Sequence, residues 1–419
     1  MSNFFAKLTE CLATGPFRIH YGWRMPPAGR GLGGDGVRDR ALVLTYARAL
    51  ELGYEHMTDP SFGWELYTGE EGVIHVYVYD TYDLLGQAFG AASLEDDGKP
   101  ILHLASRGTE TSRMGELSRA TATAIHELCH AFTMRWWSPG RVDSQGCDPW
   151  EWWSEGTSVF METHVSPENQ DSLRYVGRWA DHPEVPIDDP YHLYQAGMFV
   201  RYLYHHPRLG AKFITAVWEE PELESESEQT ESVSDPCSAI EKVLARDVPN
   251  LAFASPEEDD IFAAGYCVDS YFCFDTRSAC FNPFVFVRFG ERQATESYEP
   301  PICDAATQDS LDHLACRYYR FMPPSNSAGT TLNVRLTANP QGKESDIEQL
   351  KGILAVVTTN WSKGETVVLE PASEERTLES SMQNFTSGDV DHIVLIVANC
   401  SYGENARDGL RYAISAEVV

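Results

Sequence analysis

Residues 120–137 constrain the fold of this 419-residue chain more than any other stretch. Apolar residues recur there at positions i, i+3, i+4 and i+7, which is the spacing of an amphipathic helix with one buried face. These residues are Ile125, Leu128, Cys129 and Phe132. A Ser-Pro-Gly sequence follows directly and predicts the end of the helix. The segment is therefore predicted to form a half-buried helix.

Two histidines lie on a second side of the same predicted helix. His126 and His130 are four residues apart, so their imidazoles can converge on one ion, whereas Glu127 points about 100° around the helix. Zinc accepts neutral imidazole nitrogens, and a catalytic site keeps one position for a water molecule that a neighbouring carboxylate can deprotonate. The sequence therefore matches H-E-x-x-H, which is typical of metallopeptidases when it is helical.

A third ligand would distinguish a metal site from two histidines that are merely hydrogen-bonded in the core. Glu155 stands among large apolar residues of a second predicted helix, whose start is indicated by Asp148 and Pro149. A carboxylate in such surroundings is costly unless it is paired or bound to a metal ion. Two histidines and one glutamate form a complete catalytic zinc set, so we predict His126, His130 and Glu155 as the ligands.

These residues resemble the motifs of the gluzincin metallopeptidases, of the thermolysin and M1-aminopeptidase type. In that family the third ligand is a glutamate on the helix after H-E-x-x-H, and residues 153–157 are similar to this glutamate motif. Residues 194–200 are similar to the M1 segment whose tyrosine stabilises the tetrahedral intermediate, which implies that role for Tyr194. The alternative for Tyr194 is an ordinary aromatic residue on an amphipathic helix.

The chain also departs from these families. Val159 stands where thermolysin has an aspartate that supports a zinc histidine, so Glu162, on the same helical face as Glu155, is the candidate for that support. No G-x-M-E-N sequence precedes the zinc helix, which favours endopeptidase over aminopeptidase action. From residues 17–21, through the glycine-rich residues 33–37 that lead a helix, to a final β-domain, the order of segments more closely resembles the secreted metallopeptidases first described in myxobacteria.

The periodicity of the chain changes along its length. Residues 17–120 combine strand-like alternation with a helical segment, and the following residues to 285 are mostly helical in period. From residue 317 to 419, short strands are separated by turn residues, which is typical of a β-sandwich. We therefore predict an α+β protein with a zincin-like catalytic domain at 1–285, a connector at 286–316 and a β-sandwich at 317–419.

Two strand-like runs, residues 73–79 and 101–105, precede the zinc helix. In gluzincins the strand before that helix is an edge strand along which the substrate lies extended. The resemblance therefore implies that residues 101–105 form the edge strand and that main-chain pairing with this strand positions the substrate.

The charge of the chain narrows its partners. The formal net charge is −31, from 63 acidic and 32 basic residues, which argues against nucleic acid and anionic membranes. No apolar run reaches the length of about 18 residues that a membrane helix needs, so we predict no membrane span. Nothing in the sequence points to an oligomeric state.

Cysteine content bears on the compartment. The chain has ten cysteines, and a group of them favours a disulfide framework and hence a secreted protein. The group consists of Cys237, Cys267, Cys273, Cys280, Cys303 and Cys316. Residues 1–16 do not have the pattern of a signal peptide, and a cytoplasmic protein with reduced thiols is the alternative.

Together these features predict a zinc-dependent peptidase that acts on proteins or peptides. Glu127 would be the general base, and Tyr194 would stabilise the oxyanion, as the resemblance implies. Two alternatives stay open. One is a noncatalytic protein that binds a partner on a zincin scaffold, and the other is a hydrolase of a non-peptide amide.

Overall fold

A computed structural model describes most of the chain: residues 8–23, 36–37, 40–69, 72–81, 88–95, 98–106, 113–136, 148–167, 175, 182–225, 235–255, 260–268, 296–298, 308–323, 330–338, 344–359, 362–373, 376–402 and 406–419. The described chain is mixed α+β, with a C-terminal region of antiparallel sheets. It divides into two units, and the domain boundaries at residues 285 and 316 stay a prediction. The first unit comprises Met1–Tyr175, Ala196–Val200 and Leu209–Ser232, and the second comprises Val176–Gln195, Arg201–Arg208 and Val233–Val419.

A five-stranded mixed sheet forms the framework of the first unit. Its strands are β1 (Glu10–Thr14), β2 (Phe17–Tyr21), β3 (Ile74–Tyr79), β4 (Gly90–Leu94) and β5 (Pro100–Ala105). Their order is β1-β2-β3-β5-β4, with β2, β3 and β5 parallel and the two outer strands antiparallel to their neighbours. Alternate residues of β2 and β3 are fully buried, so one face of the sheet supplies part of the core.

The helices carry the residues of interest. Those described are α1 (Arg40–Thr58), α2 (Arg113–Thr133), α3 (Glu151–Val165), α4 (Gly197–His205), α5 (Ala211–Ser225) and α6 (Pro236–Asp247). Helix α2 confirms the half-buried helix predicted within residues 120–137, because Ile125, Leu128, Cys129 and Phe132 all have no solvent exposure. It packs against α1, α3 and the strands β4 and β5. Its buried face therefore fixes the orientation of the two histidines.

Two further sheets belong to the second unit. Their strands are β6 (Glu296–Tyr298), β7 (Gln308–Leu311), β8 (Ala315–Phe321), β9 (Leu332–Ala338), β10 (Leu350–Thr358), β11 (Lys363–Val368), β12 (Glu370–Pro371), β13 (Thr377–Met382), β14 (Val390–Asn399) and β15 (Leu410–Val418). The sheet orders are β11-β10-β14-β8-β6 and β12-β13-β9-β15-β7, and side chains of both sheets share one hydrophobic core. Short strands are present in this region, as the sequence predicts for residues 317–419.

Three short helical elements also belong to the second unit. Two 3-10 helices cover Pro190–His192 and Glu344–Gln349, and a π-helix covers Ile261–Cys267. The sequence predicts a longer helix over residues 257–274, of which only 260–268 are described. The connector predicted at 286–316 and a helix predicted at 169–179 lie largely outside the described residues.

One assignment from the sequence is wrong. Strand β5, which contains residues 101–105, lies between β3 and β4 and is therefore internal. The edge strand beside it is β4, whose sequence Gly-Ala-Ala-Ser-Leu lacks the β-branched and aromatic residues that favour strands. This segment forms a strand by pairing with β5, so its own residues do not predict a strand.

Candidate metal centre

Helices α2 and α3 bring the three predicted metal ligands together. His126 contacts Glu162 near the end of α3, whereas His130 contacts Ser154 near its start, so the two helices cross antiparallel. The ligand atoms of His126, His130 and Glu155 all lie within 4.8 Å of one another, and the cluster could hold a metal ion. The separation of the helices along the chain leaves room for the return that this crossing requires.

The possible donor atoms of His126, His130 and Glu155 are spaced about as the ligands of a tetrahedrally coordinated ion would be. The Nε2 atoms of His126 and His130 are 3.1 Å apart, and Glu155 approaches them with its oxygens at 3.0 and 3.4 Å. Bonds of about 2.0–2.1 Å in a tetrahedral arrangement separate neighbouring ligand atoms by about 3.3 Å. The observed distances lie on either side of this value. The three donors therefore fit a divalent ion.

Each histidine is held through its other ring nitrogen. Nδ1 of His126 lies 2.9 Å from Oε1 of the buried Glu162, and Nδ1 of His130 lies 3.0 Å from Oγ of Ser154 and 3.4 Å from Oγ of Ser158. A proton on Nδ1 leaves the lone pair of Nε2 directed toward the other ligands, because a neutral imidazole carries one proton. The sequence singled out Glu162, whereas the two serines gave no signal, because small polar residues on a helix rarely indicate a buried partner.

The electrostatics of the cluster favour a positive charge. Burial lowers the pKa of His126, but hydrogen bonds to Glu155 and Glu162 outweigh burial and raise this pKa well above its usual value. Burial raises the pKa of Glu155, but the imidazoles of His130 and His126 outweigh burial and hold this pKa far below its usual range. The buried carboxylate of Glu162 and the partly buried one of Glu155 thus stabilise a positive charge placed between the histidines. The same field would stabilise a bound cation.

Glu127 lies beside the cluster, between α2 and the edge strand β4. The residue is only 7% exposed, and burial raises the pKa of its carboxyl group. Gly90 at the start of β4 makes room for this side chain. A Cβ atom on Gly90 would lie 2.7 Å from Cγ and Oε1 of Glu127 and 2.7 Å from Cγ2 of Thr123. No sequence pattern marks Gly90, because only the folded sheet brings it next to Glu127.

Close packing at a pair of glycines fixes the helix that carries Glu155. A Cβ atom on Gly156 would lie 2.9 Å from the backbone carbon of Ala196, and one on Gly197 would lie 2.7 Å from Cγ1 of Val159. The residue next to Glu155 therefore sits where two backbones approach each other. This contact determines how far α3 can move along its neighbour.

Tyr194 occupies a different part of the chain from the cluster. It belongs to the second unit, follows the 3-10 helix Pro190–His192, and is 39% exposed. The predicted helix around it begins later, at Gly197. The three metal-ligand candidates and Glu127 all belong to the first unit. Stabilisation of an oxyanion by Tyr194 stays a prediction.

Comparison of the sequence with protein-family models and with curated proteins finds no match. The residues of the chain and their geometry therefore carry the functional assignment. Among the residues that the structure describes, no helix combines the length and the apolar character needed to cross a bilayer.

Proposed function

We propose that this protein is a zinc-dependent peptidase built on a zincin-like scaffold. The observation that carries the proposal is the convergence of His126, His130 and Glu155, with the carboxylate of Glu127 held beside them at the edge strand β4. A structural metal site needs no neighbouring base, so a buried glutamate at this position favours catalysis. The mixed sheet has an antiparallel edge strand and is backed by helix α2, which in turn packs against α3, and this supports a zincin-like arrangement.

The donor set favours zinc. Two imidazole nitrogens and one carboxylate leave a fourth position for water or substrate, which is the pattern of catalytic zinc. When bound there, zinc would acidify a water molecule and polarise the carbonyl group of the substrate. Glu162, Ser154 and Ser158 would keep the imidazoles oriented with their Nε2 atoms toward the ion.

Glu127 would transfer the protons of the reaction. Its carboxylate would accept a proton from the attacking water and donate that proton to the leaving amine. Burial raises the pKa of Glu127, which makes the protonated form easier to reach and so favours the second transfer. Gly90 would keep the carboxylate in position, because a larger residue would fill the same space.

The edge of β4 offers a binding site for an extended peptide. Among the described strands, β4 pairs only with β5, so its other edge has main-chain groups available for pairing. A peptide that adds to this edge would pass the carboxylate of Glu127, which contacts the start of the strand. This mode of binding does not require a free amino terminus and therefore favours an endopeptidase. The two sheets of the second unit would be the β-sandwich appendage.

The test is hydrolysis of an unfolded generic protein by zinc-loaded wild type and by Glu127→Gln, with bound zinc measured in both. We expect the variant to keep one zinc ion per chain and to lose activity by about 100-fold or more, because it lacks the proton acceptor. Glu155→Gln is the matched control, since it should lose zinc as well as activity.

Two results would contradict the proposal. If Glu127→Gln cleaved as fast as wild type, the base would be elsewhere. If wild type and variant each bound one zinc ion and neither cleaved any protein or peptide, a partner-binding protein or a hydrolase of another amide would replace the peptidase.

A further inference from the structure

The second unit contains a group of buried thiols that the metal centre does not use. Cys316 is the second residue of strand β8. It pairs in the sheet with Ala398 of β14, which lies two residues before Cys400. Cys267 is the last residue of the π-helix Ile261–Cys267, which contacts β14. Cys267 and Cys316 have no solvent exposure, and Cys400 is 1% exposed. Three thiols therefore meet where the π-helix covers the sheet.

Two of these thiols are direct neighbours. The side chains of Cys267 and Cys316 are within hydrogen-bonding distance of each other. Tyr318 joins the same two residues, because its hydroxyl group accepts a hydrogen bond from Sγ of Cys316 at 3.4 Å and donates one to the carbonyl oxygen of Cys267 at 3.0 Å. Tyr318 thus links the thiol of Cys316 to the backbone of Cys267.

The third thiol, that of Cys400, also interacts with Cys267. Cys400 lies beside the buried ion pair in which Nζ of Lys351 is 2.7 Å from Oδ2 of Asp260. Its backbone nitrogen donates to the carbonyl oxygen of Gln349, at the end of a 3-10 helix. Cys400 is therefore the third thiol of the group, and it serves as the control for Cys267 and Cys316.

We propose that Cys267 and Cys316 form a disulfide bond that fastens the π-helix to strand β8. The bond would close a loop over the residues from 268 to 315, and closing a loop of this length restricts the unfolded chain strongly. Several cysteines of the same region favour a secreted protein, and an oxidising compartment is where such a bond persists.

The bond would form by exchange with a low-molecular-weight disulfide such as glutathione disulfide. The thiolate of one cysteine attacks this disulfide and releases one glutathione, and the second thiolate then attacks the mixed disulfide and releases the other. The two cysteines lose two protons and two electrons, and the oxidant becomes two thiols. Burial raises the pKa of Cys267 well above its usual value, so the exchange would precede docking of the π-helix.

The experiment compares the full chain refolded from denaturant in the presence of glutathione disulfide with the full chain refolded in the presence of dithiothreitol. Both samples are alkylated in denaturant, digested and mapped by mass spectrometry. We expect a linked pair of peptides containing Cys267 and Cys316 in the oxidised wild type and in Cys400→Ser, and no such pair in Cys267→Ser or Cys316→Ser. The reductant should lower the unfolding midpoint of the wild type by about 5–10 °C more than that of Cys267→Ser.

Mapping of the wild type alone decides the proposal if a variant does not fold. Alkylation of both Cys267 and Cys316 in the oxidised wild type would overturn it, and so would a link from either residue to Cys400. Neither outcome bears on the metal centre, because the inference does not depend on peptidase activity.

Discussion

At the scale of single residues, the second ring nitrogen of each histidine governs how well the pair can hold an ion. Glu162 accepts from Nδ1 of His126 at 2.9 Å inside the protein, and this contact sets the tautomer that presents Nε2 to the other ligands. His130 depends on two hydroxyl groups instead of a carboxylate. The two imidazoles are therefore supported unequally, and His126 relies on one charged partner.

We expect Glu162→Ala to weaken zinc binding about 10–100-fold, because His126 loses the group that fixes its orientation. Competition with a chelator of known affinity measures the change. Ser158→Ala is the control, since Ser154 keeps the closer hydrogen bond to His130 and zinc binding should change little. Equal zinc affinity in Glu162→Ala and wild type would show that Glu162 does not support the site.

The residues that the sequence reveals are those whose signal is local. The spacing of His126, Glu127 and His130 indicates a shared helix directly, and the apolar surroundings of Glu155 indicate that its charge needs a partner. Ser154 supports His130 through a contact between two helices, which no local pattern encodes. No local pattern marks Gly90 either, because the space it leaves for Glu127 depends on how β4 packs against α2.

At the scale of elements, the crossing of α3 and α4 determines where Glu155 stands. Gly156 approaches the backbone of Ala196, and Gly197 approaches Val159 from the other helix. Backbone atoms cannot move aside as a flexible side chain can. The crossing therefore has no space for a methyl group, and a larger residue must push α3 away from its neighbour.

We expect Gly156→Ala to lower the free energy of unfolding by about 1–3 kcal/mol, because it overpacks this crossing. The sign is diagnostic, since alanine in an unconstrained helix position stabilises by up to about 1 kcal/mol over glycine. Denaturant unfolding gives the free energy, and chelator competition should show weaker zinc binding from the displaced Glu155. A variant as stable as wild type with unchanged zinc affinity would mean that the crossing does not position the ligand.

Elements also show where sequence patterns stop being sufficient. Strand β3 alternates between buried and partly exposed residues over most of its length, and residues 353–357 of β10 are all apolar, so both strands can be recognised in the sequence. Strand β4 consists of small residues, and its place at the edge follows only from its pairing with β5. The residues of a strand do not show which position it takes in a sheet, so the sequence alone predicts the wrong strand as the edge.

At the scale of the whole molecule, local patterns distinguish helical from strand-rich regions but contain little information on which distant segments pack together. The second unit joins Val176–Gln195 and Arg201–Arg208 to the long segment Val233–Val419. One contact that connects such segments is made by His313. Its Nε2 lies 3.2 Å from Asp188, and its Nδ1 lies 2.6 Å from Asp408.

These carboxylates make the stability of the second unit depend on pH. Burial lowers the pKa of His313, but Asp188 and Asp408 outweigh burial and raise it from 6.5 to about 9. Because the folded pKa lies above the unfolded one, the stabilisation is fully present below about pH 6.5 and is lost as the pH rises through 9. The stabilisation falls again in acid, because Asp408 becomes protonated and no longer attracts the charge of His313. Asp408 is 68% exposed, so solvent screening reduces the gain to about 1–2 kcal/mol.

His313→Gln should therefore be less stable than wild type by about 1–2 kcal/mol at pH 6 and nearly equal to it at pH 10. Denaturant unfolding of both proteins at a series of pH values measures this difference. In Asp408→Asn, the free energy of unfolding should also change less between pH 6 and pH 10 than in wild type. This variant removes one of the two charges that hold the proton on His313. A constant difference between His313→Gln and wild type over this range would mean that packing, and not the charge of His313, holds Asp188 and Asp408 beside this residue.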